Sequence, residues 1–225
     1  LEFRRVLFRS KNDSIISSLT VTSSGVPKVA MVLKNESSRP SRVMVSGTTT
    51  LTEANDVDNF AANNGDTIQI NAVPGSKTLI NGESFDLLQF HFHRPSEERI
   101  EGKPSAMVAH FVHKSAGGKL AVVGVLFNEG SENSVIKTIW ANAPQTETPE
   151  KVVAETTINP GALLPKRFHF YSFEGSLTTP PCTEGVTFYI LKTPMQMSRA
   201  QIEAFPFKTN ARPVQPLNGR KVLAN

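Results

Sequence analysis

From about residue 59 the chain alternates short apolar runs with clusters of turn residues. The runs DTIQINAV (66–73), SFDLLQFHFH (84–93), SAMVAHFVHK (105–114), KLAVVGVLF (119–127), RFHFYSF (167–173) and VTFYIL (186–191) are separated by PGSK, NGES, SAGG and TTPP, among others. Runs of this length, rich in Val, Ile and Phe and bounded by Gly, Pro and Ser, predict β-strands. Two patches carry helical spacing instead. SENSVIKTIWAN (131–142) repeats Val135, Ile136, Ile139 and Trp140 along one stripe behind a serine cap, and SRAQIEAF (198–205) opens on Ser198. The chain therefore reads as mainly β with a few short helices. Residues 1–58 give weaker signals, Ser/Thr-rich with a few Val-containing runs, and no internal repeat is visible.

A length of 225 residues with 39% hydrophobic content suits one large packed domain or two small ones. The longest strongly apolar run, LAVVGVLF (120–127), is far shorter than the roughly 20 residues a membrane-spanning helix needs, so no membrane association is expected. In the opening LEFRRVLFRSK, arginines interrupt the apolar residues, and no export address is visible. The net charge of +4 belongs to the front of the chain: residues 1–50 hold eight Lys/Arg against three Asp/Glu, and the rest hold 16 against 17. A nucleic-acid surface would cluster basic residues on one face with interleaved aromatics. Here both signs mix freely, and no nucleic-acid partner is expected.

Five histidines occur in the chain, and two fall one residue apart in QFHFH (89–93). In a strand, residues i and i+2 share a face, so Gln89, His91 and His93 line one side while Phe90 and Phe92 pack on the other. Two imidazoles about 6.6 Å apart along a strand can converge on one zinc. A third ligand would come from a neighbouring strand, and MVAHFVHK offers His110, which shares a face with Val112, whereas His113 points the opposite way with Phe111. Three neutral histidines leave the ion its full charge and one open position, the pattern of a catalytic rather than a structural site. The same His-x-His pair also fits two polar residues on a wet strand face. Spacing alone leaves the function open.

The motifs QFHFH, SEE, AHFVH, LAVVGVLF, YSFEGSLTTPPCTEGVTFYIL and RPVQPLN resemble, in order and approximate spacing, the α-class carbonic anhydrases, bacterial members above all. The similarity covers about residues 63–217, and QFHFH together with GSLTTPPC is highly specific. The resemblance implies a single domain around a large, mostly antiparallel twisted sheet with zinc at the base of a conical cleft. It implies reversible hydration of carbon dioxide to bicarbonate and a proton by a zinc-bound hydroxide, and a periplasmic or secreted monomer or homodimer. By the same resemblance His91, His93 and His110 are the zinc ligands. Thr178 accepts the hydrogen bond of the hydroxide and Glu97 accepts the proton of Thr178. Val112, Val122, Leu177 and Phe188 wall the substrate pocket, with Thr179 lining the cleft. Gln89 and the backbone carbonyl of Asn210 orient His91 and His93 from outside. The alternative is an inactive or damaged zinc-binding relative acting at most as a binding module.

Three positions depart from the family pattern. Where many relatives carry a glutamate two residues before the third ligand, this chain has Val108, which predicts that His110 lacks an outer hydrogen-bond partner and that zinc is held less tightly. Asp66, in NNGD, stands where a proton-shuttling histidine is common; an aspartate ordinarily titrates near 3.9, far from the value of about 7 that the relay needs. Residues 1–58 lack the family's usual segment, so the chain divides into a non-family stretch, truncated or artefactual, and a carbonic anhydrase domain over 59–225. Cys182, the single cysteine, matches one half of a disulfide whose partner lies in that missing segment.

Overall fold

The computed structural model describes residues 19–21, 27–34, 40–46, 49–51, 60–72, 75–80, 83–144, 146–152 and 156–224; the opening LEFRRVLFRS lies outside them. Seven strands carry the part of the molecule that matters for function: β1 (Ile68–Asn71), β2 (Lys77–Ile80), β3 (Glu83–His93), β4 (Met107–Ser115), β5 (Leu120–Glu129), β6 (Phe170–Ser176) and β7 (Glu184–Met197). They belong to one 13-stranded sheet in which β2, β3, β4, β5, β7 and β6 follow one another. Neighbours pair antiparallel except β5 and β7, which run parallel. The architecture is thus the expected one, mainly β around a large, mostly antiparallel sheet. Strands Leu19–Val21, Pro27–Lys34 and Pro40–Ser46 extend it beyond β2, although their sequence pattern is weak.

Opposite β4, strand β3 is long enough to serve two further neighbours: its first residues pair with β2 and its last with β1, where Gln69 faces His91. Alternation sorts the side chains of the sheet onto two faces. Phe90, Phe92, Ala109 and Phe111 point into the main core with Ile136, Ile139 and Phe205. The two helices pack on that side. Helix α1 (Ser134–Asn142) is capped by Asn133 rather than a serine, because the amide oxygen of Asn133 accepts from both Val135 N–H and Ile136 N–H. Helix α2 (Arg199–Ala204) starts on Ser198 with a reciprocal Ser198–Gln201 capping box. Trp140 ties the pair, donating its indole N–H to Gln201 O at 2.9 Å and stacking on Phe205. The opposite face holds a second apolar cluster of Val108, Val112, Val122, Phe173, Phe188 and Ile190, and it is on this face that the histidines stand.

Candidate metal centre

His91 and His110 are direct cross-strand partners between β3 and β4, and His93 lies two residues along the same strand face. The three ring centroids are 4.9, 5.6 and 5.0 Å apart pairwise. One donor nitrogen from each ring falls within 4.8 Å of the others. On the far side of His110, Gly124 of β5 is its ladder partner. A Cβ there would come within 2.5 Å of Ile190 Cδ1, so glycine lets β7 pack close beneath the ring.

Each imidazole has its outer nitrogen engaged. Gln89 Oε1 accepts from His91 Nδ1 at 2.8 Å, and the Asn210 carbonyl accepts from His93 Nδ1 at 3.2 Å. His110 Nε2 donates to Glu98 Oε1 at 2.7 Å. This leaves Nε2 of His91, Nε2 of His93 and Nδ1 of His110 as the atoms available to a metal. His93 Nε2 is buried with no hydrogen-bond partner, the state of a donor that needs an electrophile. Burial first, then mutual repulsion with the other rings, holds His91 well below the usual histidine range and lowers His93 as well, so both are neutral, as ligation requires. Burial alone would lower His110 and raise Glu98. Their close pairing overrides it and moves both the other way. A donor set of three imidazoles with fixed tautomers, above two buried carboxylates, fits a divalent cation such as zinc.

The backbone between the ligands is clamped from two sides. Thr67 Oγ1 donates to Phe92 O at 2.5 Å and accepts from Phe92 N–H at 3.2 Å. Asn210 Nδ2 donates to the same carbonyl and to Asp66 O, both at 2.9 Å, while Asn210 Oδ1 accepts from Arg94 N–H. Asp66 itself is exposed on its turn, tied to the ligand strand only through its backbone.

Glu97 is buried, with Oε1 accepting the Arg212 backbone N–H at 2.7 Å and lying 3.6 Å from His93 Nδ1; its other oxygen is 3.8 Å from His110 Nδ1. Glu97 and Thr178 line the same cavity of about 340 Å³ with Phe188 and Arg212. Val112, Val122 and Phe188 are buried together, and Leu177 packs against them. Phe188 stands edge-on to His110 at 6.1 Å. Thr179 is exposed in the following turn, and Cys182 is half-buried.

The expectation that His110 has no outer partner is corrected here. Val108 is apolar and fully buried, but the turn before Arg99 carries a second carboxylate inward, and Glu98 reaches the ring that Val108 cannot. The doubled acid in SEE was the signal. Sequence reading used only its first member, and it missed Thr67 altogether.

The pattern of the eukaryotic-type carbonic anhydrase family matches residues 33–225, beginning inside the stretch the sequence set apart. A carbonic anhydrase of Klebsiella pneumoniae is 47% identical over 167 residues, covering 72% of this chain and 67% of that protein. One of Nostoc sp. is 44% identical over 163 residues, covering 72% and 62%, so the matched part spans about two thirds of these relatives. Among solved structures, Photobacterium profundum α-carbonic anhydrase superposes with a TM-score of 0.72 at 39% identity, over 82% of this chain and 81% of that one. Three convergent histidines on one face of such a sheet, and a family match over most of the chain's length, place the chain in the α-class carbonic anhydrase family.

Proposed function

We propose that the protein catalyses the reversible hydration of carbon dioxide to bicarbonate and a proton, with one zinc held by His91, His93 and His110. The observation that carries this reading is the convergence of three neutral-capable imidazole donors within 4.8 Å beside an apolar wall. When bound, zinc supplies the Lewis acidity that acidifies water to about 7, a value known from this family itself. Thr178 Oγ1–H donates a hydrogen bond to a Glu97 oxygen, so that Thr178 Oγ1 meets the nucleophilic water as an acceptor and orients its lone pair toward the substrate. Carbon dioxide has no net dipole, so Val112, Val122, Leu177 and Phe188 hold it by exclusion of water rather than by charge. Asp66 occupies the relay position and carries the released proton slowly.

The test is carbon dioxide hydration by stopped flow, with zinc measured on the same sample. Wild type should carry one zinc and turn over, and His110→Ala should lose both. Wild-type zinc and activity in His110→Ala would overturn the ligand assignment.

A further inference from the structure

Gln89 supports His91 from two residues back on the same strand face, with its oxygen 2.8 Å from His91 Nδ1. The equivalent position for His110 is Val108, which is fully buried and has no acceptor. The acceptor that His110 does have comes from outside the sheet. Glu98 is 3% exposed and His110 2% exposed, and they meet at 2.7 Å through His110 Nε2. The turn that delivers Glu98 is latched: Ser96 Oγ donates to Glu98 O at 2.6 Å and accepts from Ser105 N–H at 2.9 Å, and Ser96 N–H donates to Ser105 O at 3.1 Å. Ser96 is itself buried. A carboxylate this deep is costly to desolvate, and only a strong charge-assisted partner offsets that cost.

We propose that Glu98 is the positioning residue of the metal centre, relocated from the strand to the preceding turn: its carboxylate fixes His110 with Nδ1 toward His91 and His93 and raises the basicity of that nitrogen toward a metal. The inference rests on the three-histidine metal reading, though not on the reaction. Its consequence is that Val108 and Glu98 are two alternative seats for one carboxylate. Filling both would bury a further negative charge beside Glu98 and Glu97, and emptying both would leave His110 Nε2–H without an acceptor.

The experiment uses the full chain loaded with zinc, then with cobalt(II), and follows metal loss to excess chelator. Glu98→Ala should release zinc about 10-fold to 100-fold faster, the range for loss of an outer partner of a ligating histidine. Glu98→Gln, which keeps the shape and a neutral acceptor, should fall between. Moving the carboxylate back in Glu98→Ala/Val108→Glu should recover most of the wild-type rate and the wild-type cobalt absorption spectrum, which a merely structural role for Glu98 would not produce. Release from Glu98→Gln at the wild-type rate overturns the inference even if the other two variants do not fold, and so does a folded double variant that releases zinc as fast as Glu98→Ala. A wild type that takes up no zinc overturns the metal reading together with this inference. One zinc held equally well by wild type and Glu98→Gln overturns this inference alone.

Discussion

His113 makes the acid stability of the fold a measurable quantity. It lies on the face of β4 opposite His110, 2% exposed, with Nδ1 donating to Phe111 O at 2.9 Å and Nε2 accepting from Thr78 Oγ1 at 2.9 Å. Both nitrogens are satisfied only by the neutral ring. Burial, partly countered by its backbone hydrogen bonds, pushes the ring from the usual 6.5 down to about 4. In the unfolded chain the ring titrates near 6.5, so between these values the unfolded state takes up the extra proton. Stability is therefore full above about pH 6.5 and is lost as pH falls toward 4. At about 1.4 kcal/mol for each pH unit of that gap, the loss is about 2 kcal/mol by pH 5 and about 3 kcal/mol by pH 4. His113→Gln keeps a donor and an acceptor and cannot titrate. Urea midpoints of the metal-free protein and this variant, taken from pH 7.5 to 4.5, should diverge: the variant starts lower, and the gap narrows or reverses as acid is added. The other histidines are common to both proteins and cancel. Parallel curves over that range would refute the reasoning.

Gly124→Ala should cost about 1–3 kcal/mol by overpacking, because the new methyl group meets Ile190 Cδ1 at 2.5 Å in a fully buried site; urea denaturation reads the loss. Zinc stoichiometry should survive it, since His110 Cδ2 is at an ordinary 3.6 Å. Asp66→His should raise turnover at low buffer concentration, and the gain should shrink as an imidazole-type buffer is added, because an exposed histidine titrates near the value the relay needs; initial rates across a buffer series check this.

Local pattern explains why the strands and two of the ligands were legible. Period-two alternation put Phe90 and Phe92 on the core side and His91 and His93 on the other, and Gln89 followed because it shares the strand with His91. The parallel pairing of β5 with β7 was not legible, since strand order depends on how the whole sheet closes rather than on either sequence. Glu97 and Glu98 show the limit most clearly. Adjacent carboxylates in a turn are equivalent on paper, and only the latched path of Ser96 to Ser105 decides that Glu97 reaches the Arg212 backbone while Glu98 reaches His110. Thr67 was invisible for a related reason: its partner Phe92 lies 25 residues on, and a lone threonine beside a turn has no distinguishing pattern.

The three outer contacts of the histidines also differ in charge, and the difference has a physical logic. His91 donates to an amide, His93 to a backbone carbonyl and His110 to a carboxylate. A divalent cation on three neutral rings keeps its whole charge, and a buried position makes that charge expensive unless anions stand nearby. Glu98 supplies one through His110, and Glu97, within 4 Å of both His93 and His110, supplies a second. Glu98 would offset a cation from behind the His110 ring, on its Nε2 side, and Glu97 stands beside the cluster rather than in it, which leaves the candidate ligand set as three imidazoles. A carboxylate in place of Gln89 as well would overcompensate and weaken the Lewis acidity that the proposed reaction needs, whereas the acceptor of His93 is a backbone carbonyl that no side-chain change at Asn210 replaces. Neutral acceptors at two rings and a carboxylate at the third thus orient every imidazole, and the proposed exchange of seats between Val108 and Glu98 would keep that pattern of charge.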